Sequence, residues 1–413
     1  MIILGDVAII NPAKAIPRAK TDVTVSFLSM KAVEVESGRF DLSETIKLSD
    51  GLKRFTLFQD GDIIFAKITP CMENGKIALM GGLRNGIGLG STEFHVIRLP
   101  DCVDNKFYFY FLLQASVRRF LRGRMTGTAG QLRVPTKELE CLTVPVVSYP
   151  EQKRIVAKIE SLFSRLDSAK DSLERVQQEI KRYRQAVFKS AFEKIEQEKP
   201  IESIFKIIDY RGRTPPYADK GVIHLRTSNI RNGQIRLENI RYVTEETYKK
   251  YMTRGIPHKG DVLMTTEAPM GEVSLIPDYK FSIAQRMVLL RSDNFDKFVM
   301  YQIMSTFFQK RLERAKTGTT VAGISSRNFK KVPFKFCSPE EQVKIVENIE
   351  SRFERAKLLE DAVEQGLEKI ERLKQSILKK AFEGKLVEPD PNDEPVESLL
   401  ERIKKGKLEL SKK

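Results

Sequence analysis

Two long stretches of this chain share one pattern of apolar and polar positions. Residues 151–193 carry apolar side chains in alternating steps of four and three, and the stretch returns without a gap at 341–383. Eighteen of the 43 aligned positions are identical. Because such steps place apolar residues along one side of a helix, each copy is predicted to form a long amphipathic helix with a heptad seam.

Each predicted helix needs a partner for its seam. A helix of this length would extend about 65 Å at roughly 1.5 Å per residue, and an exposed apolar stripe does not stabilise it. The matching seams favour pairing of the two copies with each other over the alternative that each lies on a globular domain. Arg352 and Gly366 interrupt the second seam. The residues predicted to be buried in the helix pair are Ile159, Leu162, Leu166, Leu173, Ile180, Ile349, Leu359, Val363, Ile370 and Leu373.

The rest of the chain consists of short β-branched and aromatic runs between Gly, Asn and Pro turns. This pattern is typical of mixed domains with many short strands, such as 23–28 and 62–66. Residues 105–122 and 295–316 are predicted to be helical. The expected divisions are a globular domain (1–149), a helix (150–199), a second globular domain (200–338), a second helix (339–386) and a tail (387–413) containing a short helix at 396–405.

The two globular domains also resemble each other in sequence. Residues 26–29 match 223–226, Gly61-Asp-Ile-Ile64 matches Gly260-Asp-Val-Leu263, and a Gly-Thr segment follows the helix of each domain. An internal duplication explains these matches. The fold class is therefore predicted as α+β, with two similar mixed α/β domains and two long helices related by a pseudo-two-fold internal repeat.

Charge and composition narrow the function classes. The 413 residues carry a formal net charge of +16, which favours a polyanionic partner such as nucleic acid or an anionic membrane. The second globular domain contributes about +11 of this charge, from 24 basic and 13 acidic residues. Four scattered cysteines indicate neither a zinc site nor a disulfide framework. Without a signal-like N-terminus or a long apolar run, a cytoplasmic location is expected.

No catalytic motif stands out. The glycine-rich segment 81–90 lacks the Walker ending, and His95, His224 and His258 have no motif around them. Thr214-Pro-Pro-Tyr217 resembles the signature of amino-methyltransferases. Threonine is not a usual first residue there, and the glycine-rich cofactor loop is missing, so a basic DNA-contacting loop is the favoured interpretation of this region.

Polar and basic residues in loops beside strands are the candidates for DNA contact, because Arg, Asn and Gln can read base edges while Lys, Ser and Thr more often hold phosphates. In the first domain the candidates are Lys67, Thr69, Asn74, Lys76, Arg84, Ser91, Thr92, Arg124, Thr126, Gln131 and Arg133. In the second domain they are Tyr210, Arg211, Arg213, Tyr217, Arg226, Ser228, Asn229, Arg231, Gln285, Arg286, Lys316, Thr317, Thr319 and Arg327.

Several phrases together resemble the specificity subunit of Type I restriction–modification enzymes over nearly the whole chain. They are residues 65–70 with 73–76, 90–95 and 209–215, and the passages 144–152 and 332–342 that lead into each long helix. The last pattern, which occurs twice and precedes a heptad helix each time, is the specific one.

The resemblance implies two target recognition domains, each reading half of a split DNA site, and antiparallel pairing of the repeat helices as a coiled coil that sets the spacing. It also implies two methyltransferase (modification) subunits and motor-nuclease (restriction) subunits as partners. The family's specificity subunit has no active site and no cofactor or metal of its own. S-adenosylmethionine, ATP and Mg are then expected in the partner subunits.

Two other function classes remain as alternatives at the level of sequence. One is a stand-alone DNA-modifying enzyme, such as an adenine methyltransferase with an unrecognised active site. The other is a coiled-coil adaptor that does not bind DNA, against which the charge of the second domain argues.

Overall fold

The computed structural model describes residues 1–13, 22–128, 130–210, 214–317 and 323–412. The chain divides into two compact units. The first unit comprises Met1–Ser172 and Gly366–Lys413, and the second comprises Leu173–Gln365. Each unit therefore contains one globular domain together with part of both long helices.

The globular part of the first unit is built from short strands and helices. Its strands are β1 (Ile2–Ile3), β2 (Ile9–Ile10), β3 (Thr24–Leu28), β4 (Thr45–Lys47), β5 (Thr56–Gln59), β6 (Ile63–Ala66), β7 (Ile77–Leu79), β8 (Ile87–Gly90), β9 (Phe94–Arg98), β10 (Thr126–Thr128), β11 (Gln131–Arg133) and β12 (Thr143–Val144). Its helices are α1 (Leu4–Val7), α2 (Leu48–Gly51), α3 (Asn105–Leu112), α4 (Ala115–Arg122) and α5 (Thr136–Glu140). The strands form sheets in the orders β2-β9-β6-β7, β4-β3-β8-β5, β1-β12 and β10-β11.

Two long helices follow the two globular domains, α6 (Tyr149–Glu193) and α12 (Pro339–Phe382). The second globular domain lies between them in the chain. Its strands are β13 (Glu198–Pro200), β14 (Lys206–Asp209), β15 (Val222–Leu225), β16 (Ile230–Arg231), β17 (Gln234–Ile235), β18 (Arg241–Val243), β19 (Val262–Thr265), β20 (Val273–Leu275), β21 (Phe281–Ile283), β22 (Met287–Arg291) and β23 (Pro333–Lys335). Its helices are α7 (Ile201–Ile204), α8 (Glu245–Tyr251), α9 (Asp296–Met304), α10 (Thr306–Ala315) and α11 (Ser326–Lys330), and α13 (Val396–Lys412) closes the chain.

The same topology recurs in both globular domains. The order β14-β22-β19-β20 repeats β2-β9-β6-β7, and β18-β15-β21 repeats β4-β3-β8, including one parallel pair in each.

The aspartates of the two matching Gly-Asp turns each bond to an arginine of a neighbouring strand. Asp62 accepts hydrogen bonds from Arg98 at 2.8 and 2.7 Å, as Asp261 accepts two from Arg291. The predicted α+β class and internal duplication are confirmed.

The long helices pair antiparallel in both units. In the first unit Asp167 contacts Lys374 and Lys170 contacts Glu371, so residue numbers rise on one helix as they fall on the other. In the second unit Arg184 donates to Glu360, and the rings of Phe188 and Phe353 lie 5.1 Å apart. The predicted coiled-coil pairing of the repeats is confirmed.

The seam prediction is right at some positions and wrong at others. Ile159, Ile180, Ile349, Val363 and Ile370 are buried as predicted, with Ile159 and Ile349 in hydrophobic clusters that also include residues of the globular domains. A second group, Leu162, Leu166 and Leu173, is only half-buried.

Leu359 and Leu373 are exposed, at 56% and 40%, so their assignment to the seam was wrong. The neighbouring positions, Glu360 and Lys374, face the partner helix and form its ion pairs. The aliphatic part of a charged side chain can pack in a seam while its charged end forms an ion pair. A prediction based on hydrophobicity alone therefore selected the leucine next to each true seam residue.

Several predicted boundaries also differ from the observed ones. The first long helix ends at Glu193 rather than near 198, because residues 198–200 form β13 and pair with β23. The helices predicted at 105–122 and 295–316 are each broken in two, between Leu112 and Ala115 and at Ser305. The tail helix α13 is longer than predicted. Among the described residues, no helix is both long and apolar enough to cross a membrane.

Candidate nucleic-acid interface

In the first unit, β6 leads into a loop that we call the first proline loop (residues 67–76). Thr69 and Pro70 are joined by a cis peptide bond. The loop is attached to the β10–β11 hairpin, because the amide of Thr69 donates to the carbonyl of Leu132 at 3.0 Å and the Leu132 amide donates to Thr69 Oγ1 at 3.1 Å. The amide of Lys67 donates to the carbonyl of Glu93 at 2.9 Å. Three segments distant in sequence therefore meet at one surface.

The second unit contains the same arrangement. Its β19 leads into the second proline loop (residues 266–272), where Ala268 and Pro269 are joined by a cis bond. Thr266 donates its amide to the Arg286 carbonyl at 2.8 Å, as Lys67 does to Glu93. Glu267 forms an isolated bridge with Gly323, on the segment that follows α10. The two units thus present equivalent loop clusters.

The structure brings most first-unit candidates together at the first proline loop. Lys67 and Thr69 are half-buried within it, and Asn74 is exposed in the same loop. The candidates on the segments joined to this loop are Ser91, Thr92, Thr126, Gln131 and Arg133. Residue 129, at the tip of the hairpin, lies outside the described residues.

Three first-unit candidates differ from this group, because Lys76 is bonded to the fold at the end of the loop, whereas Arg84 and Arg124 lie outside the loop. The Lys76 ammonium donates to the carbonyl of Met30 at 2.7 Å, so one of its three proton donors is used within the fold. Arg84 precedes β8 and lies at the opposite end of that strand from Ser91. Arg124 lies over the ring of Phe120, 3.6 Å from its centroid, just before the hairpin.

The guanidinium of Arg133 is bonded to the carboxylate of Glu93. Its guanidinium donates to both oxygens of Glu93, with distances of 2.9 to 3.2 Å. These hydrogen bonds hold the pKa of Glu93 below its ordinary value. In the second unit Arg286 pairs with Glu267 at 3.1 Å. Such ion pairs fix the direction of each arginine at the surface while leaving part of it exposed.

The second-unit candidates are spread over more than one surface. Gln285 and Arg286 lie beside the second proline loop, and Gln285 donates to Thr214 Oγ1 at 3.4 Å. Lys316, Thr317 and Arg327 are exposed on segments after α10. Arg211, Arg213 and Thr319 lie outside the described residues.

A separate group surrounds a turn at residues 226–231. Ser228 is exposed there, while Arg226 donates to the Asn239 carbonyl at 2.7 Å and Arg231 donates to the Thr227 and Ile230 carbonyls. Asn229 is buried, at 1% exposure, and its side chain forms hydrogen bonds with backbone groups of Arg226 and Arg236. It therefore stabilises the turn and is not available at the surface.

Tyr210 and Tyr217 have opposite environments. Tyr210 is 7% exposed, and its hydroxyl donates to the Gly255 carbonyl at 3.0 Å. Its ring belongs to the domain core, so its placement at the interface was wrong. Tyr217 is 47% exposed, with its ring 5.7 Å from that of His224. It presents an aromatic face that a base could stack against.

Two of the three histidines, His95 and His224, are buried parts of the fold. His95 is 2% exposed, lies 2.8 Å from the Val134 carbonyl and 3.0 Å from Asn11 Nδ2, and burial lowers its pKa. His224 is buried beside Ser282, with 3.0 Å between Nδ1 and Oγ. Within the described part of the chain, no three His, Cys, Asp or Glu residues are grouped in a way that could hold a metal ion.

Sequence reasoning missed the residues that attach each domain to the helix pair. Gln152 accepts a hydrogen bond from the Asp104 amide at 2.8 Å, and Gln342 accepts one from the Phe295 amide at 2.9 Å. Lys106 pairs with Glu160 at 2.6 Å, as Lys297 pairs with Glu350. The signal was available, because Gln152 and Glu160 are identical in the two repeats although they are polar.

The family comparison agrees with this duplicated architecture. The profile described as "Type I restriction modification DNA specificity domain" matches residues 2–178 and again residues 194–369. Two matches of this extent cover most of the chain. The protein therefore belongs to the Type I restriction–modification DNA specificity family.

Individual relatives match different parts of the chain. The specificity subunit of the Type I restriction enzyme EcoAI of Escherichia coli is 40% identical over 171 residues, which is 40% of this chain and 28% of that subunit. The EcoKI specificity subunit of E. coli K12 is 24% identical over 91% of this chain and 87% of its own length. This chain thus spans under a third of the EcoAI subunit in the matched region, and nearly all of the EcoKI subunit.

Solved structures show the same fold. A chain from a structure of the type I R-M system matches with a TM-score of 0.70 and 21% identity, covering 93% of this chain and 97% of that chain. The HsdS subunit from Thermoanaerobacter tengcongensis matches with a TM-score of 0.50 and 21% identity, covering 93% of this chain and 96% of its own.

Proposed function

We propose that this chain is the DNA-recognition subunit of a Type I restriction–modification complex, with each globular domain reading one half of a split DNA site. One observation carries the proposal. Each of the two segments that match the specificity-domain family contains one proline loop, attached to the segment after the domain's helices. Two equivalent polar surfaces with different side chains suit two different half-sites.

Charge and side-chain type support DNA as the ligand. The net charge of +16 favours a polyanion, and the exposed Gln131 and half-buried Gln285 beside the loops can each make two hydrogen bonds to an adenine edge. Lys67 and the exposed Lys316 are suited to phosphates, which position the protein on the duplex without reading its sequence.

We infer that catalysis belongs to other subunits. The named relatives are specificity subunits of restriction enzymes. By analogy, two methyltransferase subunits would bring S-adenosylmethionine, and motor-nuclease subunits would bring ATP and Mg. The helix pair would set the spacing of the half-sites and dock the methyltransferase subunits.

Selection of duplexes from a random library by the purified full chain tests the proposal. The expected enriched site has two different short words separated by a non-specific spacer of fixed length. A single uninterrupted word, or no enrichment above a salt-sensitive background, would contradict it.

A second assay with the same protein separates the proposal from the stand-alone enzyme. The chain is incubated with DNA and S-adenosylmethionine in the absence of other subunits. We expect no methyl transfer, and methylated adenine at the selected site would overturn the assignment of catalysis to partners.

A further inference from the structure

The C-terminal tail, defined here as residues 384–412, covers the start of α6 in the first unit. Asp393 accepts hydrogen bonds from Ser148 Oγ at 2.9 Å and from Arg154 at 3.0 and 2.6 Å. Leu386 and Val387 pack against the first-unit core. The tail therefore binds through two aliphatic side chains followed by a carboxylate.

The equivalent place in the second unit is an open groove. We call it the second-unit groove, a cavity of about 750 Å³ between the end of α6 and the start of α12. Ile195, Phe336 and Ile345 form its apolar wall, and Ser338 and Lys344 lie at its polar side.

The repeat alignment relates the covered and open sites residue by residue. Ser148 is 2% exposed beneath the tail, whereas Ser338 is exposed. Similarly, the half-buried Arg154 corresponds to the exposed Lys344. Ile155 is 3% exposed and corresponds to the half-buried Ile345. The second unit thus retains the hydroxyl and the cation that bond to the tail in the first unit, and the isoleucine of the core beside them.

In the described part of the second unit, the segment after α6 does not follow the path that the tail takes in the first unit. The end of α6 at Glu193 is followed within five residues by β13, which begins at Glu198 and pairs with β23. The tail itself is anchored in the first unit, where Leu399 and Ile403 are buried at 0% and 1% exposure. A segment that lay in this groove as the tail lies in its counterpart would therefore belong to another molecule.

We propose that the second-unit groove binds an extended segment of a partner protein with the chemistry of residues 386–393, namely two adjacent aliphatic side chains followed by a carboxylate. The aliphatic pair packs against Ile195, Phe336 and Ile345. The carboxylate pairs with Lys344 and accepts a hydrogen bond from Ser338. This interaction is separate from DNA recognition and does not depend on it.

The charges in the groove set the expected strength. Two lysines, Lys194 and Lys344, and two glutamates, Glu196 and Glu341, line the groove. Glu341 already accepts a hydrogen bond from the Ser338 amide at 3.2 Å. Lysine offers a single point charge where Arg154 makes two hydrogen bonds to Asp393. The groove therefore binds its segment more weakly than the first unit binds the tail, which suits an exchangeable partner.

A labelled peptide of residues 384–395 is the probe, titrated against the intact chain and followed by fluorescence anisotropy. We expect saturable binding of one peptide per chain. Lys344→Glu should weaken binding at least tenfold, and so should Asp393→Asn in the peptide. The matched control is Lys357→Glu, at an exposed lysine of α12 outside the groove, which should leave affinity within twofold.

Three results would overturn the proposal. The first is absence of saturable binding. The second is loss of binding in Arg154→Glu but not in Lys344→Glu, which would mean that the peptide only displaces the tail in the first unit.

The third is self-association of the chain by light scattering that Lys344→Glu abolishes, because the occupant would then be a second copy. DNA affinity measured on the same Lys344→Glu protein should be unchanged. This readout keeps the groove proposal distinguishable from the proposed DNA recognition.

Discussion

Gln375 of α12 accepts a hydrogen bond from the backbone amide of Ala115, at 2.8 Å, and so caps the first turn of α4 from another helix. Gln185 of α6 does the same for Thr306, at the start of α10, at 2.9 Å. Helix starts leave amide groups without intrahelical partners, and a side-chain acceptor satisfies one of them. In each unit, a hydrogen bond therefore connects a helix of the globular domain to one of the long helices.

Removing either cap should destabilise the unit that contains it. Gln375→Ala and Gln185→Ala are each expected to lower the free energy of unfolding by about 0.5–2 kcal/mol, the usual cost of a lost helix cap. Urea denaturation followed by circular dichroism measures the change. Gln178→Ala, at an exposed position of α6, is the control and should stay within ~0.5 kcal/mol. Equal effects at Gln185 and Gln178 would contradict a capping role.

The observed seam makes a sharp distinction between two aliphatic residues of α12. Ile349 is 0% exposed and Leu359 is 56% exposed. Ile349→Ala should lower the free energy of unfolding by about 2–5 kcal/mol because it leaves a cavity, whereas Leu359→Ala should change it by less than ~0.5 kcal/mol. Thermal and urea unfolding of the two variants measure the difference. A larger loss at Leu359 would contradict the burial of Ile349 and the exposure of Leu359 described above.

His224 should make the second unit less stable in acid. Burial is the larger cause, and nearby Arg226 the smaller, of a pKa lowered to about 4 from its ordinary 6.5. The unfolded chain therefore binds more protons between these values, and stability falls as pH drops from about 6.5 to about 4. The loss should reach roughly 3 kcal/mol at the acidic end.

Urea unfolding of the chain at several pH values between 7 and 4 measures this effect. His224→Gln should reduce the pH dependence in this window, and part of it should remain because burial also lowers the pKa of His95. The same slope in wild type and His224→Gln would show that another group controls acid stability.

The tail should contribute to the stability of the first unit. Leu399 is 0% exposed, whereas Leu408 on the same helix is 63% exposed. Leu399→Ala should cost about 2–5 kcal/mol of unfolding free energy and Leu408→Ala less than ~0.5 kcal/mol. Limited proteolysis should also release the tail earlier from the Leu399 variant. Identical cleavage rates in both variants would indicate that α13 is not anchored.

The sequence predicted the large features because their signals are long. Forty-three positions of heptad periodicity, present twice, leave little ambiguity about two paired helices, and short turn-bounded runs predicted β3 and β6 closely. The broken helices were not predictable in the same way. Residues 105–122 carry a continuous apolar pattern, and the amide that begins the second helix after the break bonds to Gln375, which is distant in sequence.

The candidate site was predictable only in part, because a polar side chain can serve the fold or the surface. Thr92 and Gln131 are at the surface as expected, whereas the polar side-chain atoms of Tyr210 and Asn229 form hydrogen bonds with backbone groups inside the second unit. The residue type alone does not tell whether a polar side chain is bonded within the fold or exposed at the surface. That depends on the hydrogen-bond partner of each polar atom, which the tertiary structure determines.

We propose that each globular domain reads its own half of the DNA site. The most direct measurement is duplex selection with two matched variants, Gln131→Ala beside the first proline loop and Gln285→Ala beside the second. We expect each variant to relax one position in one half-site, at a cost of roughly 1–3 kcal/mol, with the other half-site and the spacer unchanged. The affected half should differ between the two variants. If both relax the same half-site, or if either changes the whole site, the two-domain account is wrong.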